Sequence, residues 1–352
     1  MDKIAIIGSG FTSYILYKKL EKYKPIVISP KRILKDTLTF NRHKKFEVNK
    51  LNSTQAFSFN NQIFKLNNCC LHDRLIDGGH SNIWGGFCNT VNFNKKIFIF
   101  LKKSRILLNK LNFYKNGCHS NIPTIAQLND SKRNIFSSQK RIKKYIDGFV
   151  FNFENKKDCI KLKILINKNK CQYIYKSFKR VFVAISISQL ISLLKNSNII
   201  KVNDLITLEE YQYNHSLKFF NTMSPPSHFF LDHNDNINKV EIIFNLFGII
   251  KHFFNFKIKR SFNFPFIYFV QKFQYKKNIC KIKNIKKNIF KEIYAKKNFG
   301  KSIHVNCLKI NKKPIKSLYN KKIEIFGPAA IQQKKPGPIS NDIIIDVFKR
   351  IN

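Results

Sequence analysis

Short apolar runs punctuated by glycine open the chain. Lys3–Ile7 is a β-rich run that stops at Gly8-Ser9-Gly10, Phe11–Tyr23 carries apolar residues at helical spacing (Ile15, Leu16, Leu20), and Pro25–Ser29 is a second apolar run. The pattern predicts strand, turn, helix, strand. Residues 31–75 show no clear motif, and residues 97–142 are rich in Lys and Asn with helical stretches. From Tyr145 to Val183 the alternation shortens to that of strands separated by polar turns. It predicts strands over Gly148–Glu154, Cys159–Ile166, Cys171–Tyr175 and Arg180–Ala184, followed by a helix over Ile187–Lys195. Residues 200–300 are aromatic-rich, broken at Pro225-Pro226, and carry no repeated motif. The end predicts a strand over Lys322–Phe326, a Gly/Pro loop over Gly327–Pro338 and a terminal helix over Ser340–Ile351.

The first strand–turn–helix has the form that seats a dinucleotide. Glycines let a pyrophosphate approach the backbone, and the unpaired N–H groups of the helix N-terminus face it. The spacing is Gly8-x-Gly10-x-x-Ser13, with Ser in the third glycine place, and Tyr17 stands where such helices carry a small residue against the sheet. The acidic residue expected after the second strand, for ribose hydroxyls, is replaced by Ser29-Pro30. Glycine supplies only 12 of 352 residues. Half of these (8, 10, 78, 79, 85, 86) sit in this turn and in the cluster Asp77–Gly86, so geometry, not chance, holds glycine there.

Composition changes the picture less than its size suggests. The formal charge is +45, which taken alone points to nucleic acid, an anionic membrane or acidic substrates. Lys, Asn, Ile and Phe all have AT-rich codons, however, and the lysines are spread along the whole chain (Lys18-Lys19, Lys102-Lys103, Lys143-Lys144, Lys276-Lys277, Lys296-Lys297) rather than massed in one arm. A genome-wide compositional drift is therefore the better reading. Specific nucleic-acid recognition is not expected; the charge should still raise salt-dependent affinity for polyanions, and the Phe- and Lys-rich stretch 244–273 leaves contact with a membrane surface open. The eight cysteines (69, 70, 88, 118, 159, 171, 280, 307) form no CxxC pair and no zinc spacing. His228, Asp232, His233 and Asp235 lie close together without regular ligand spacing and read as a solvated loop, so no metal is expected. With no signal peptide and no apolar run near the length of a membrane span, the expected location is cytoplasmic.

Four separated segments, in order, resemble the glucose–methanol–choline (GMC) oxidoreductases. Ile4–Leu20 is similar to the ADP-binding unit for FAD. Asp77–Gly86, with Gly78-Gly79-x-Ser81-x-x-Trp84-Gly85-Gly86, resembles the second glycine motif of that family, which lies along the FAD pyrophosphate and passes beside the flavin. Val181–Leu194, after a β-meander, resembles the strand–turn–helix that returns to the FAD domain, with Ser186 where glycine is usual. Ser302-Ile303-His304-Val305-Asn306 resembles the active-site histidine segment, and Ser317–Tyr319, Ile323–Ala330 and Pro336–Ser340 resemble the closing strand, the flavin-contacting loop and the final helix.

The resemblance implies an α/β (α+β overall) chain with a Rossmann-like FAD-binding domain assembled discontinuously from 1–95, 145–200 and 300–352. A reduced substrate-facing or cap region would come from 96–144 and 201–299. It implies FAD held by Gly8, Gly10, Phe11, Thr12, Ser13, Gly78, Gly79, Ser81, Asn82, Trp84, Gly85, Ala184, Gly327, Pro328, Pro338 and Ile339. It further implies oxidation of a CH–OH group of an alcohol or sugar, with hydride passing to flavin N5 and His304 as base, since an imidazole titrating near neutrality suits the hydroxyl proton. The second His or Asn often found in that family before the last Pro, which hydrogen-bonds the substrate oxygen, is replaced by Gly337. Two other readings stay open: a catalytically silent flavin-fold protein with a binding or scaffolding role, and an NAD(P)-dependent enzyme in which Lys31-Arg32 meets a 2′-phosphate.

Overall fold

The computed structural model describes residues 2–30, 64–65, 70–71, 78–79, 87–88, 90, 92–110, 124–128, 142, 144–167, 171–201, 203–214, 228–232, 239–245, 268–282, 303–333 and 339–351. In chain order its elements begin with β1 (Asp2–Ile7), α1 (Phe11–Leu20), β2 (Ile26–Ser29), β3 (Phe64–Lys65), β4 (Cys70–Leu71), β5 (Phe87–Cys88) and α2 (Lys95–Lys103). Next come β6 (Ile106–Lys110), β7 (Thr124–Leu128), β8 (Tyr145–Asp147), β9 (Phe149–Asn155), β10 (Ile160–Asn167), β11 (Cys171–Val183) and α3 (Ile187–Asn196). The remainder are β12 (Ile206–Asn214), β13 (His228–Asp232), β14 (Lys239–Asn245), β15 (Tyr268–Ile282), β16 (Ile303–Ile310), β17 (Lys313–Pro314), β18 (Ser317–Leu318), β19 (Ile323–Ile325) and α4 (Ser340–Arg350).

The central sheet runs β18-β19-β11-β1-β2-β8. From β19 to β8 every neighbouring pair is parallel. Parallel strands need both faces covered, and the alternation along β1 divides the two covers. Ile4 and Ile6 pack with α1, α2 and α4, through Ile15, Leu16, Ile97, Leu101, Ile344 and Val347. Ala5 and Ile7 pack on the other face, with α3 and the meander β9–β10, through Val150, Phe153, Leu162, Ile164, Leu190 and Leu194. That is why the apolar runs at 4–7, 26–28, 181–183 and 323–325 are continuous rather than alternating.

One strand joins the two regimes. β11 pairs antiparallel with β10 from Cys171 to Phe178, then parallel with β1 from Phe178 to Val183. The two strands expected over Cys171–Tyr175 and Arg180–Ala184 are thus one strand of 13 residues. The polar positions Lys176, Ser177 and Lys179 broke the apolar pattern without breaking the ladder, since Lys176 and Ser177 pair with Leu162 and Lys161.

Other expectations needed correction at their edges. The helix expected to reach Tyr23 ends at Leu20 and tightens into a 3-10 turn over Glu21–Tyr23, closed by Lys24 at φ +51. Of the helical stretches expected over 97–142, the described residues form one helix. α2 stops at Lys103, Arg105 takes φ +59, and β6 and β7 then pair antiparallel. A left-handed residue after the last turn is a common helix terminus, and nothing in the Lys/Asn composition marks it.

The described strands between Ile206 and Pro314 form a second sheet in the order β13-β14-β15-β12-β16-β17, antiparallel throughout. Ile206, Leu208 and Leu308 of this sheet enter the same apolar cluster as β1 and α3. β16 thus belongs to the second sheet, and α2 packs on the first sheet's cover. Between β12 and β16 the register slips by one residue around Glu209. At the slip Cys307 is buried with φ +50, a left-handed conformation that a β-bulge accommodates more readily than regular strand.

Candidate functional site

The parallel strands end together. Gly8 N–H donates to the Ile28 carbonyl at 2.9 Å, Ala184 N–H to Ile7 at 2.9 Å, and Phe326 N–H to Val183 at 2.8 Å. The ladder therefore continues one residue beyond each strand and brings Gly8, Ala184 and Phe326 to one edge. In chain order β1 is flanked by β2 and β8 on one side and by β11 and β19 on the other. The direction of progression reverses between β1 and β11. In open α/β sheets this switch point, outside the carboxyl ends, is where a crevice for a ligand forms.

Gly8 and Ala184 sit on the two sides of that point. Gly8 has φ +110, and a Cβ there would stand 2.3 Å from the Ala184 carbonyl oxygen. Only glycine lets these two backbones come so close. Ser13, in the third glycine place, is fully buried and donates its Oγ hydrogen to the Ala184 carbonyl at 3.2 Å. A serine thus keeps the close helix–strand packing and adds a bond that glycine would not make. Ser186, the other departure from glycine, caps α3 by accepting from Gln189 N–H at 3.3 Å.

Gly78, at the start of the second glycine segment, lies against the first. Gly78 N–H donates to Ser9 Oγ at 3.0 Å, Ser9 Oγ shares a hydrogen bond of 2.9 Å with Ser29 Oγ, and a Cβ on Gly10 would meet the Gly78 carbonyl oxygen at 3.2 Å. Gly78 and Gly79 both have positive φ, +81 and +47. From the C-terminal side Gly327, at φ +89, faces Thr12, whose Oγ1 would lie 3.4 Å from a Cβ placed there, and the Pro328–Ala330 turn follows. Segments 8–13, 78, 184 and 327 therefore converge around the N-terminus of α1. That helix has no side-chain cap and no acidic residue in its first turn, so its own first turn does not offset the positive end of its dipole.

Phe11 and Thr12 are buried in this cluster, and Ile339 begins the turn into α4, accepting from Ile343 N–H at 3.0 Å. Ser81, Asn82, Trp84, Gly85 and Pro338 lie outside the described residues, as do Gly337, Lys31 and Arg32. His304 is placed by its backbone alone, in β16 opposite Tyr211 of β12. His228 and Asp232 fall at the two ends of β13.

A buried polar chain links that strand to α4, and no motif announced it. Two residues beyond His304, Asn306 (1% exposed) donates from Nδ2 to Gln333 Oε1 at 2.9 Å; Gln333 donates from Nε2 to Asp342 Oδ2 at 3.0 Å. Burial pushes the Asp342 carboxyl above its ordinary range, against the lowering effect of the Gln333 bond. Nearby, the Cys88 thiol is pushed up to about 12, chiefly by burial, with Ser340 lowering it and the Asp342 charge raising it further. Beside this chain the buried Glu209 carboxylate pairs with Lys309 at 2.9 Å and accepts from Gln332 Nε2 at 3.0 Å. Contacts between positions 27 and 9 residues apart leave no periodicity in a sequence.

No family model matches this sequence, and no curated protein matches it. Among solved structures, the chain is similar to tetracycline destructase Tet(55), at 10% identity and a TM-score of 0.37 over 98% of this chain and 77% of that one. It is similar to a flavoprotein/dehydrogenase from Cytophaga hutchinsonii, at 8% identity and a TM-score of 0.38 over 98% of this chain and 75% of that one. It is also similar to OxyS anhydrotetracycline hydroxylase from Streptomyces rimosus, at 9% identity and a TM-score of 0.37 over 98% of this chain and 60% of that one. None of the three is described as a GMC oxidoreductase, and at these TM-scores none carries an argument. The strand order and the glycine contacts stand without them: this is an α/β chain with a largely parallel central sheet whose glycine turn opens on the sheet's switch point.

Proposed function

We propose that this chain is an FAD-dependent oxidoreductase. The observation that carries the reading is the Ser9-centred contact, in which the N-terminal turn and the Gly78 segment close on each other at the switch point. A single βαβ turn serves any dinucleotide; a second glycine residue held against it suits a longer cofactor that both segments would hold. The residues fit such a group. Gly8 and Gly10 let the turn close tightly against Ala184 and Gly78, the N-terminus of α1 would face a diphosphate, and Thr12 and Gly327 would stand beside it.

Within that class, the substrate proposed is an alcohol or sugar oxidised at a CH–OH carbon. FAD, when bound, supplies the two-electron acceptor. A ring nitrogen of His304 takes the hydroxyl proton as hydride leaves the carbon, which spares the reaction a free alkoxide. Asn306, two positions along the same strand, is a positioning residue, because its bond to Gln333 fixes β16 against the loop that leads to α4. The Phe326–Ile331 segment presses Gly327 against Thr12 and keeps water from that wall.

The test is the visible spectrum of the purified chain incubated with FAD and desalted. Flavin bands that stay with the protein are the expected result, and bleaching by a suitable alcohol is expected under anaerobic conditions. A colourless chain that retains no FAD at micromolar concentration would sink the proposal.

Ser29 favours a second reading. It bonds to Ser9 at the position where a carboxylate is expected for the ribose hydroxyls, a loss that would suit a flavin-fold protein retained for binding rather than turnover. Bound flavin that no alcohol bleaches would select it.

A further inference from the structure

We infer that the outward face of α2 docks the protein on the surface of an anionic lipid bilayer. α2 buries Ile97 and Leu101, 3% and 1% exposed, against the cover of the central sheet. Its other side breaks the usual rule for a surface helix. Phe98 is 43% exposed and Ile99 45% exposed. Lys95, Phe98, Ile99 and Lys102 are spaced i, i+3, i+4 and i+7, so they share one face, with the two apolar residues between two lysines.

The neighbouring face continues the theme. Lys96, Ile99, Phe100 and Lys103 turn toward a cavity of about 610 Å³ between α2, α4 and the end of α1. Its floor includes Phe100 and Phe348, edge to face at 4.9 Å. Lys19, Lys96, Lys103 and Lys349 stand around it, and among the described residues that line it none is acidic. The cavity is distinct from the glycine turn: Lys19 is nine residues along α1 from Gly10, roughly 14 Å of helix.

Apolar side chains ringed by lysines complement a surface with negative headgroups above an apolar layer. The apolar pair enters the acyl boundary while the ammonium groups stay among the phosphates. Among the described residues no helix is long and apolar enough to cross a membrane, so contact is with the surface. A nucleic acid would use the lysines but gives Ile99 nothing to bury against, since it offers bases and phosphates rather than an apolar layer.

The experiment is co-sedimentation of the whole chain with vesicles of phosphatidylcholine alone or with roughly 30% phosphatidylserine, at about 0.15 M salt. Because a chain of +45 attracts any polyanion, charge-preserving substitutions decide. Phe98→Ser/Ile99→Ser should weaken partition onto the phosphatidylserine vesicles by roughly tenfold or more while leaving retention on duplex DNA unchanged. Lys95→Gln/Lys102→Gln should weaken it by roughly tenfold or more. Lys156→Gln/Lys157→Gln, in the exposed β9–β10 turn, should change it by less than about threefold.

Parent-like partition of the double-serine variant would overturn the inference, as would equal effects from the two lysine pairs or a parent that ignores phosphatidylserine. DNA retention lost in the double-serine variant while vesicle binding persists would also overturn it, in favour of a nucleic-acid surface. Thermal melts confirm that each variant is folded. Should the double-serine variant fail to fold, Phe98→Gln alone carries the same expectation in the same direction.

Discussion

Ser9 and Ser29 hold their hydroxyl oxygens 2.9 Å apart, and Ser9 also receives the Gly78 N–H. The end of β2, the first glycine turn and the second glycine segment are thereby joined through one oxygen. Ser9→Ala removes both bonds at once. The expected cost is about 2 kcal/mol, read by chemical denaturation, together with weaker FAD retention. Ser29→Ala leaves the Gly78 bond in place and should cost about 1 kcal/mol or less. Equal effects from the two would show that Ser9 is not the hub.

The two glycines of the turn should separate stability from binding. Gly8→Ala sets a Cβ against a backbone oxygen at 2.3 Å and at φ +110, so a loss of about 3 kcal/mol or more is expected, or no folded protein at all. At Gly10 the nearest atom is 3.2 Å away and φ is ordinary. Gly10→Ala should therefore cost only about 1 kcal/mol, while FAD retention falls because the methyl group presses on the Gly78 carbonyl and loosens the contact between the two glycine segments. A Gly10→Ala variant that keeps FAD would contradict that role of the contact.

His304 separates binding from chemistry. His304→Ala should leave FAD bound and abolish bleaching of the flavin bands by the substrate alcohol. Unchanged bleaching would remove His304 from the reaction.

Asp342 predicts a pH effect of definite sign. Burial raises its carboxyl above the unfolded value, so its contribution to stability is greatest below the ordinary carboxylate range, about 3.9. That contribution is lost as pH rises through the raised folded value. Asp342→Asn keeps an oxygen for Gln333 and removes the buried charge. The variant's advantage over the parent in melting temperature should grow as pH rises from about 4 and level off above the folded value. An advantage that shrinks with rising pH would refute the assignment.

Arg350 ties α4 to β19, the strand that leads to Gly327. It donates to the Ile325 and Lys316 carbonyls at 2.8 and 2.9 Å, bonds Asp346 at 3.0 Å and lies over the Phe326 ring at 3.9 Å. A lysine ammonium cannot reproduce that planar fork. Arg350→Lys should cost about 2 kcal/mol in denaturation despite keeping the charge.

The glycine geometry was legible because glycine is scarce here, and the parallel strands because burial on both faces leaves continuous apolar runs. The scaffold from β1 to β2, the meander, α3, β19 and α4 could be read within a few residues at each end. β11 was read as two strands because its outer half is polar where it leaves the core. The second sheet was not read at all, since Lys and aromatic residues in an AT-driven composition blur the alternation of its strands. Ser13 and Ser186 stood out as departures, yet their hydroxyls bond to a carbonyl and to a helix N-terminus, partners that only the folded chain supplies. The Asn306–Gln333–Asp342 chain had no signal to find.

The Ser13–Ala184 contact also orders events in time. Its partners are 171 residues apart, so the glycine turn is synthesised well before the wall that closes it. At roughly 5–20 residues per second, the turn waits on the order of ten seconds or more for Ala184, and longer for Gly327. The β9–β10–β11 meander, whose contacts are local, can form before either arrives. The cofactor cradle is therefore expected to be a late assembly, and a chain truncated before Gly327 should fold its meander without holding a nucleotide.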